Sequence, residues 1–394
     1  MYPQSYNNHD DMMRQQFINE NNQLIEQFKA QLIDPKTGKK RAEVKVQNFA
    51  DGGRYEGELE NDVRKGYGIY YFASGDVYFG PWNDQFQGQG TYIYRSGERY
   101  QGLFNKGKKD GQGIYWYING AEYDGRWVND QKDGFGKFRY PNGDIYEGIW
   151  VRGVKSGQGT LVLANGDHYQ GEWNNNMKNG QGTYIFASGS RYEGFWLNDQ
   201  YHQQGVFSYS NGDKYEGIYD NGQKTNKGVY KHGQDGSEYQ GEWFRDQRSG
   251  NGRMKYGNGD IYQGFWQEGE RNGKGCYKYN NGDQYEGEFV NDQKHGYGIL
   301  KMVSGDIYEG EWKQGRKNGK GLYKFANRDI YDGHFADGLR QGYGRYQWND
   351  HSYYEGNWDK DRMNGKGLYV SPDGVQAEGI FDNDNYVGPA DQQY

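Results

Sequence analysis

Residues 123–150 read YDGRWVNDQKDGFGKFRYPNGDIYEGIW. Tyr123 and Tyr146 are each followed by glycine two residues on (Gly125, Gly148) and by tryptophan four residues on (Trp127, Trp150). Between them stand the pair Gly134/Gly136 around Phe135, the alternating aromatics Phe138 and Tyr140, and the tripeptide Pro141-Asn142-Gly143. Alternating aromatics closed by Asn-Gly read as a β-hairpin. Its loop length follows from parity. A two-residue loop would set Phe138 and Tyr140 on the face opposite Tyr146 and Trp150, because side chains alternate along a strand. A three-residue loop sets Phe138 opposite Tyr146 and Gly136 opposite Gly148, with the rings of Phe138, Tyr140, Tyr146 and Trp150 on one face. Gly143 then takes the left-handed position that such loops need. The three-residue loop is the expected one.

The same pattern runs outward in both directions. Tyr-x-Gly begins at residues 55, 78, 100, 123, 146, 169, 192, 215, 239, 262, 285, 308, 331 and 354, at intervals of 22 to 24 residues. A further step reaches Ala377-Glu378-Gly379, a degenerate fifteenth copy. Each copy supplies two short strands. The reading is therefore all-β: an elongated, single-layer antiparallel meander of tandem hairpins, with a short N-terminal helix. Roughly thirty strands at ~4.8 Å spacing would make a rod of about 140 Å. Two regions are expected, a helix and basic linker over 1–43 and the array over 44–390. Polar stretches such as Asn129-Asp130-Gln131-Lys132-Asp133 read as the loops between hairpins.

Composition agrees. The 394 residues include 65 glycines, 40 tyrosines and only 6 prolines. Collagen is excluded by the scarce proline and simple disorder by the abundant rings. At 33% hydrophobic residues a large aliphatic core is out of reach. Opposed glycines solve this: Gly136, Gly148, Gly159 and Gly171 leave bare backbone over which flanking Tyr and Trp rings can lie. The face carrying Lys137, Arg139, Ile145, Glu147 and Ile149 should be the wetter one.

The ends differ from the array. Met13, Phe17, Leu24, Phe28 and Leu32 mark one face of a helix over 11–34, with Asp11 as N-cap and Pro35 as stop. It reads as a cap on the edge of the first hairpin, or as a docking or dimerising helix. Lys36, Lys39, Lys40, Arg41 and Lys45 follow as a solvated linker, and Val44, Val46 and Phe49 as one more strand. Within the array, Gln203 and Asn226 replace the first glycine of two pairs, and one extra residue enters at 231–237. Drift in a tolerant loop and a notch for a partner both account for this.

Catalytic chemistry is not expected. None of the seven histidines pairs at a zinc spacing, and no nucleophile elbow or Walker loop is present. Cys276, the single cysteine, rules out a disulfide scaffold and reads as a free thiol. The recurring Asp144, Asp213, Asp260, Asp283 and Asp306 are expected to stabilise turns rather than bind calcium. No cofactor or metal is expected. A net charge of −7, from 47 basic and 54 acidic residues, argues against nucleic acid. There is no apolar run long enough to span a membrane, and Met1 to Asp11 lacks an apolar signal core, which predicts an intracellular chain.

Tyr308-Glu309-Gly310-Glu311-Trp312 with Gly319/Gly321 resembles the MORN repeat (membrane occupation and recognition nexus), and the likeness covers about 50–390. It implies a single-layer hairpin array acting as a scaffold in cilia, basal structures, cortical cytoskeleton or membrane junctions. The expectation is a non-catalytic scaffold of a cytoskeletal assembly, similar to radial-spoke and axonemal members. It would lie in the cytoplasm and cytoskeleton, at the axoneme of a cilium or flagellum, and bind other cytoskeletal proteins, with self-association as a further option. Candidate contact rings are Trp127, Tyr146, Trp150, Tyr169, Trp173, Tyr192 and Trp196. The alternative is a phosphoinositide or membrane-surface tether using Lys106, Lys108, Lys109 and the basic linker.

Overall fold

The computed structural model describes residues 7–34 and 36–390. It divides into two compact units, 1–200 and 201–394. The first holds helix α1 (Asn7–Gln31) and the strands from Val44–Asn48 to Arg191–Leu197. The second holds those from Gln200–Ser208, which begins one residue before the boundary, to Asn385–Gly388. In each, consecutive strands pair antiparallel as an open meander. The all-β, single-layer reading is borne out.

The local geometry follows from the repeat. Strand Gln131–Arg139 pairs with Ile145–Val151, setting Phe138 against Tyr146 and Gly136 against Gly148. The tip is the expected three-residue loop: Tyr140 N–H donates to the Asp144 carbonyl at 2.8 Å, and Gly143 sits at φ +92°. The link to the preceding hairpin differs from expectation. Asn129 and Asp130 alone form it, at φ +47° and +70°, in a two-residue turn. Gln131 already pairs with Val128, and the register slips between Lys132 and Gly136. The rest of the polar stretch, from Gln131 on, is therefore a bulged strand, with lysine at 132 turned toward the rings rather than into water.

The strand expected from Val44, Val46 and Phe49 is present as Val44–Asn48, with Phe49 just beyond it in the turn, and pairs with Arg54–Glu60. The extra residue near 231–237 is absorbed at a hairpin tip, where His232 N–H donates to the Ser237 carbonyl at 2.8 Å, and the ladder on both sides keeps its register. Gln203 and Asn226 sit at φ +52° and +56°, so side-chain residues occupy a left-handed position that glycine fills elsewhere.

Helix α1 starts earlier than expected, so Asp11 lies inside it, and Pro35 falls outside the described residues. It covers a face, not the edge: Phe28 stacks on Phe79 at 4.1 Å, and Leu32 packs with Ile69 and Val77. Of the expected stripe, Phe28 and Leu32 meet the sheet, and the Arg99 guanidinium of the sheet stands 5.3 Å from the Phe17 ring centre. Asn21 is buried, donating from Nδ2 to the Gly97 carbonyl at 2.6 Å, whereas Met13 is exposed.

Candidate functional site: the two faces of the sheet

On one face the tyrosines close the repeat. The Tyr146 ring lies over Gly148 and Gly159; a Cβ on Gly159 would stand 2.4 Å from the tyrosine hydroxyl. The hydroxyl donates to the Ile149 carbonyl at 3.1 Å. Trp150 donates from Nε1 to the Gly136 carbonyl at 3.2 Å. Tyr146 meets Trp150 and then Trp173 edge-on, each at 5.2 Å, and Tyr169 repeats this with Trp173 and Trp196. The result is a zipper of alternating Tyr and Trp. Such T-shaped pairs each contribute about 0.5–1.5 kcal/mol beyond area burial.

This places the candidate contact rings inside. Tyr146, Tyr169 and Tyr192 are 0% exposed, and Trp127, Trp150, Trp173 and Trp196 between 2% and 4%. Their surfaces meet one another, and Gly136, Gly148, Gly159 and Gly171 are the floor they lie on. What solvent reaches on this side is the outer row six residues before each tyrosine, such as Tyr117, Tyr140, Leu163 and Phe186, all half-buried.

A row of cations, absent from the sequence reading, covers the zipper. The Lys132 ammonium stands 4.5 Å from the Trp150 ring centre and 4.6 Å from that of Phe138, with Tyr123 at 5.4 Å. Lys155, Lys178, Lys294 and Arg340 repeat the arrangement over Trp173, Trp196, Trp312 and Trp358. The signal was in the register: nine residues after the tyrosine stands Lys or Arg in eleven of the fourteen copies. Burial pushes the Lys132 and Lys294 ammonium groups down to about 8. Loop carboxylates reach several of these cations, Asp292 at 2.8 Å from Arg271 and Asp361 at 3.1 Å from Arg340.

The acidic residues before the tyrosines tie neighbouring hairpin tips together. Asp213 accepts from the Tyr230 hydroxyl at 2.7 Å and the Gly233 N–H at 2.8 Å, and Asp260 likewise from Tyr277 and Asn280. The Gly233 N–H and then the Tyr230 hydroxyl hold the Asp213 carboxyl below its usual range. This is the turn-stabilising role expected of them. Among the described residues no group of three His, Cys, Asp or Glu side chains is placed to hold a metal ion. No described helix is long and apolar enough to cross a membrane.

The opposite face carries a trough. Over residues 240–299 it encloses about 870 Å³. Its floor is the bare backbone of Gly252, Gly264, Gly275, Gly287 and Gly298. Arg253, Cys276 and Ile299 form one wall and Asn251, Lys274 and Tyr297 the other. Burial pushes the Cys276 thiol up. In the first unit this face is where α1 lies.

Among solved structures, likeness is to the TCP domain of SAS-4 (dCPAP) of Drosophila melanogaster, in complex with a proline-rich motif of Ana2 (dSTIL). It is 16% identical, spans 45% of this chain and 90% of that one, and has a TM-score of 0.26. The wild-type TCP10 domain of Danio rerio CPAP is 14% identical over 56% of this chain and 92% of that one, at a TM-score of 0.20. A streptogramin B lyase is 13% identical over 80% and 94%, at 0.13. At such scores these likenesses carry no argument. No curated protein sequence is matched. The family comparison is of a different order: the MORN repeat matches fourteen tandem segments, from 55–77 to 354–376, two of them shortened to 82–99 and 215–234. The matched segments follow the hairpin register described above, and the chain belongs to the MORN-repeat family.

Proposed function

We propose that this chain is a non-catalytic scaffold of a cytoskeletal assembly, ciliary or axonemal, that holds protein partners on its sheet. One observation carries the reading. The face opposite the zipper is covered by a packed helix in the first hairpins, whereas in the second unit it is open, with a glycine-floored trough across it. A half-apolar sheet face of this kind is a surface for another polypeptide. The membrane-tether alternative draws less support, because Lys109 is turned into the cation row over Trp127 and Lys40 pairs with Glu56.

The test is capture from solubilised axonemes, followed by cross-linking mass spectrometry. Cross-links from Lys255, Lys278, Lys301 and Lys324 to axonemal proteins are expected. Recovery only with anionic vesicles, lost on adding salt, would refute the scaffold reading in favour of the tether.

A further inference from the structure

Helix α1 shows how this sheet receives a helix. Its inward residues include Ile18, Asn21, Ile25, Phe28 and Leu32, the a and d positions of a heptad, with Phe17 beside them over Arg99. Ile18 and Asn21 meet Gly97, at the tip of the third copy. Ile25 and Phe28 pack with Val77 and Phe79, in the second. The helix thus advances one heptad per hairpin. The lengths agree: seven helical residues rise ~10.5 Å, and two strands span ~9.6 Å. A helix inclined by roughly 20–25° to the array direction matches the two repeats.

Under α1 the seat is an apolar pair, nine residues and one residue before the tyrosine: Ile69 and Val77. Across the fourteen copies only two others are apolar at both positions, Ile299/Ile307 and Leu322/Ile330, and they are consecutive. These four side chains are half-buried and form a zigzag stripe over adjoining strands, with no described element packed on them. Val303, at the tip beside them, is 73% exposed. On the tip side the stripe is bordered by Lys278, Lys301 and Lys324, all exposed and free of ion pairs among the described residues. On the inner side it is bordered by Glu286, Glu309 and Asp332, which are cross-strand neighbours of Cys276, Ile299 and Leu322.

We propose that the hairpins spanning residues 293–336 are a second helix seat. Its occupant is an amphipathic helix of a partner protein, with apolar a and d positions, acidic residues along the flank over the lysines and basic residues along the other. The proposal rests on the scaffold reading above and gives it an address. The spacing selects a heptad-patterned segment over an extended one, and the two charge columns select its flanks.

The test uses the full chain and a fluorescent synthetic helix of three heptads, with Leu at a, Ile at d, Glu on one flank and Arg on the other. Saturable binding by fluorescence polarisation is expected, with hydrogen-exchange protection over residues 293–336. Ile307→Glu with Ile330→Glu should abolish it, while circular dichroism and thermal melting stay those of the parent. Lys301→Glu with Lys324→Glu should weaken it roughly fivefold, at a few-fold per exposed charge pair, and a probe with both flanks basic should restore it. Absence of binding up to roughly 1 mM overturns the proposal. So does protection over residues 69–79 with release of α1. Dimerisation of the chain that Ile307→Glu removes would name a second copy as occupant and overturn the partner assignment. If capture of axonemal proteins survives the Ile307→Glu, Ile330→Glu change, this seat is wrong and the scaffold reading stands; if the unmodified chain captures none, the scaffold reading itself fails.

Discussion

Replacing Gly148 by alanine isolates the device on which the array depends. Gly148 has an ordinary backbone angle, so the added methyl meets no conformational obstacle. Its obstacle is steric: the new Cβ would lie 2.5 Å from the Gly159 Cα and 2.6 Å from the Tyr146 hydroxyl. The opposing backbone is fixed by the ladder, so the ring must leave. Lifting Tyr146 breaks its hydrogen bond to the Ile149 carbonyl, about 1 kcal/mol, and its edge-on contacts with Trp150 and Trp173, together about 1–3 kcal/mol. A local loss of about 3 kcal/mol is expected, after some relaxation of neighbouring hairpins. Because repeats unfold by neighbourhoods, the assay is native-state hydrogen exchange of the amides between residues 145 and 161. Gly153→Ala is the control: that glycine sits at φ +87° with nothing within 4 Å, so only backbone strain of about 1–2 kcal/mol applies. If Gly148→Ala costs no more than Gly153→Ala, the idea that rings need bare backbone is refuted.

Gln203→Gly should stabilise the fold by about 0.5–1 kcal/mol after glycine's own entropy cost, because it relieves a left-handed side-chain residue, and so raise the melting temperature; a lower melting temperature would show that Gln203 makes a compensating contact. The cation row predicts a pH dependence. Burial lowers Lys132 and Lys294 from 10.5 to about 8, so both states are fully protonated well below pH 8. Between about 8 and 10.5 the unfolded chain holds more protons, and stability should rise with pH. Melting temperatures at about pH 7.5 and about pH 9.5 test this, staying below the range where unfolded tyrosines ionise; Lys132→Met with Lys294→Met should flatten the rise. Phe28→Ala removes the stack on Phe79 and should weaken α1 docking by about 2–3 kcal/mol, read as faster exchange in the helix and faster proteolysis within residues 34–43. Unchanged exchange would mean that Leu32 and Asn21 hold the helix alone.

Much of this fold is a matter of local spacing, and spacing is legible. The period, the three-residue tip, Phe138 against Tyr146 and Gly136 against Gly148 all follow from parity along a chain whose side chains alternate. The turn-stabilising aspartates followed too, since they recur at one register. Burial was another matter. Trp150 and its neighbours read as contact surface by their register alone, yet a ring's exposure depends on the ring of the next hairpin, which lies 23 residues away along the chain. Lys132 read as a loop residue because its charge suggested water, while three ring faces within 5.4 Å hold it on the sheet. The apolar stripe of α1 was visible as a helix, but not which face it would meet, since amphipathic periodicity names a buried side without naming its neighbour. By itself, then, the sequence determined the hairpin, its register and its family, because those are set by contacts a few residues apart. Only the tertiary structure decided that the rings seal against one another and which stretch of the other face the helix covers, because that depends on how successive hairpins stack and where the helix lies down.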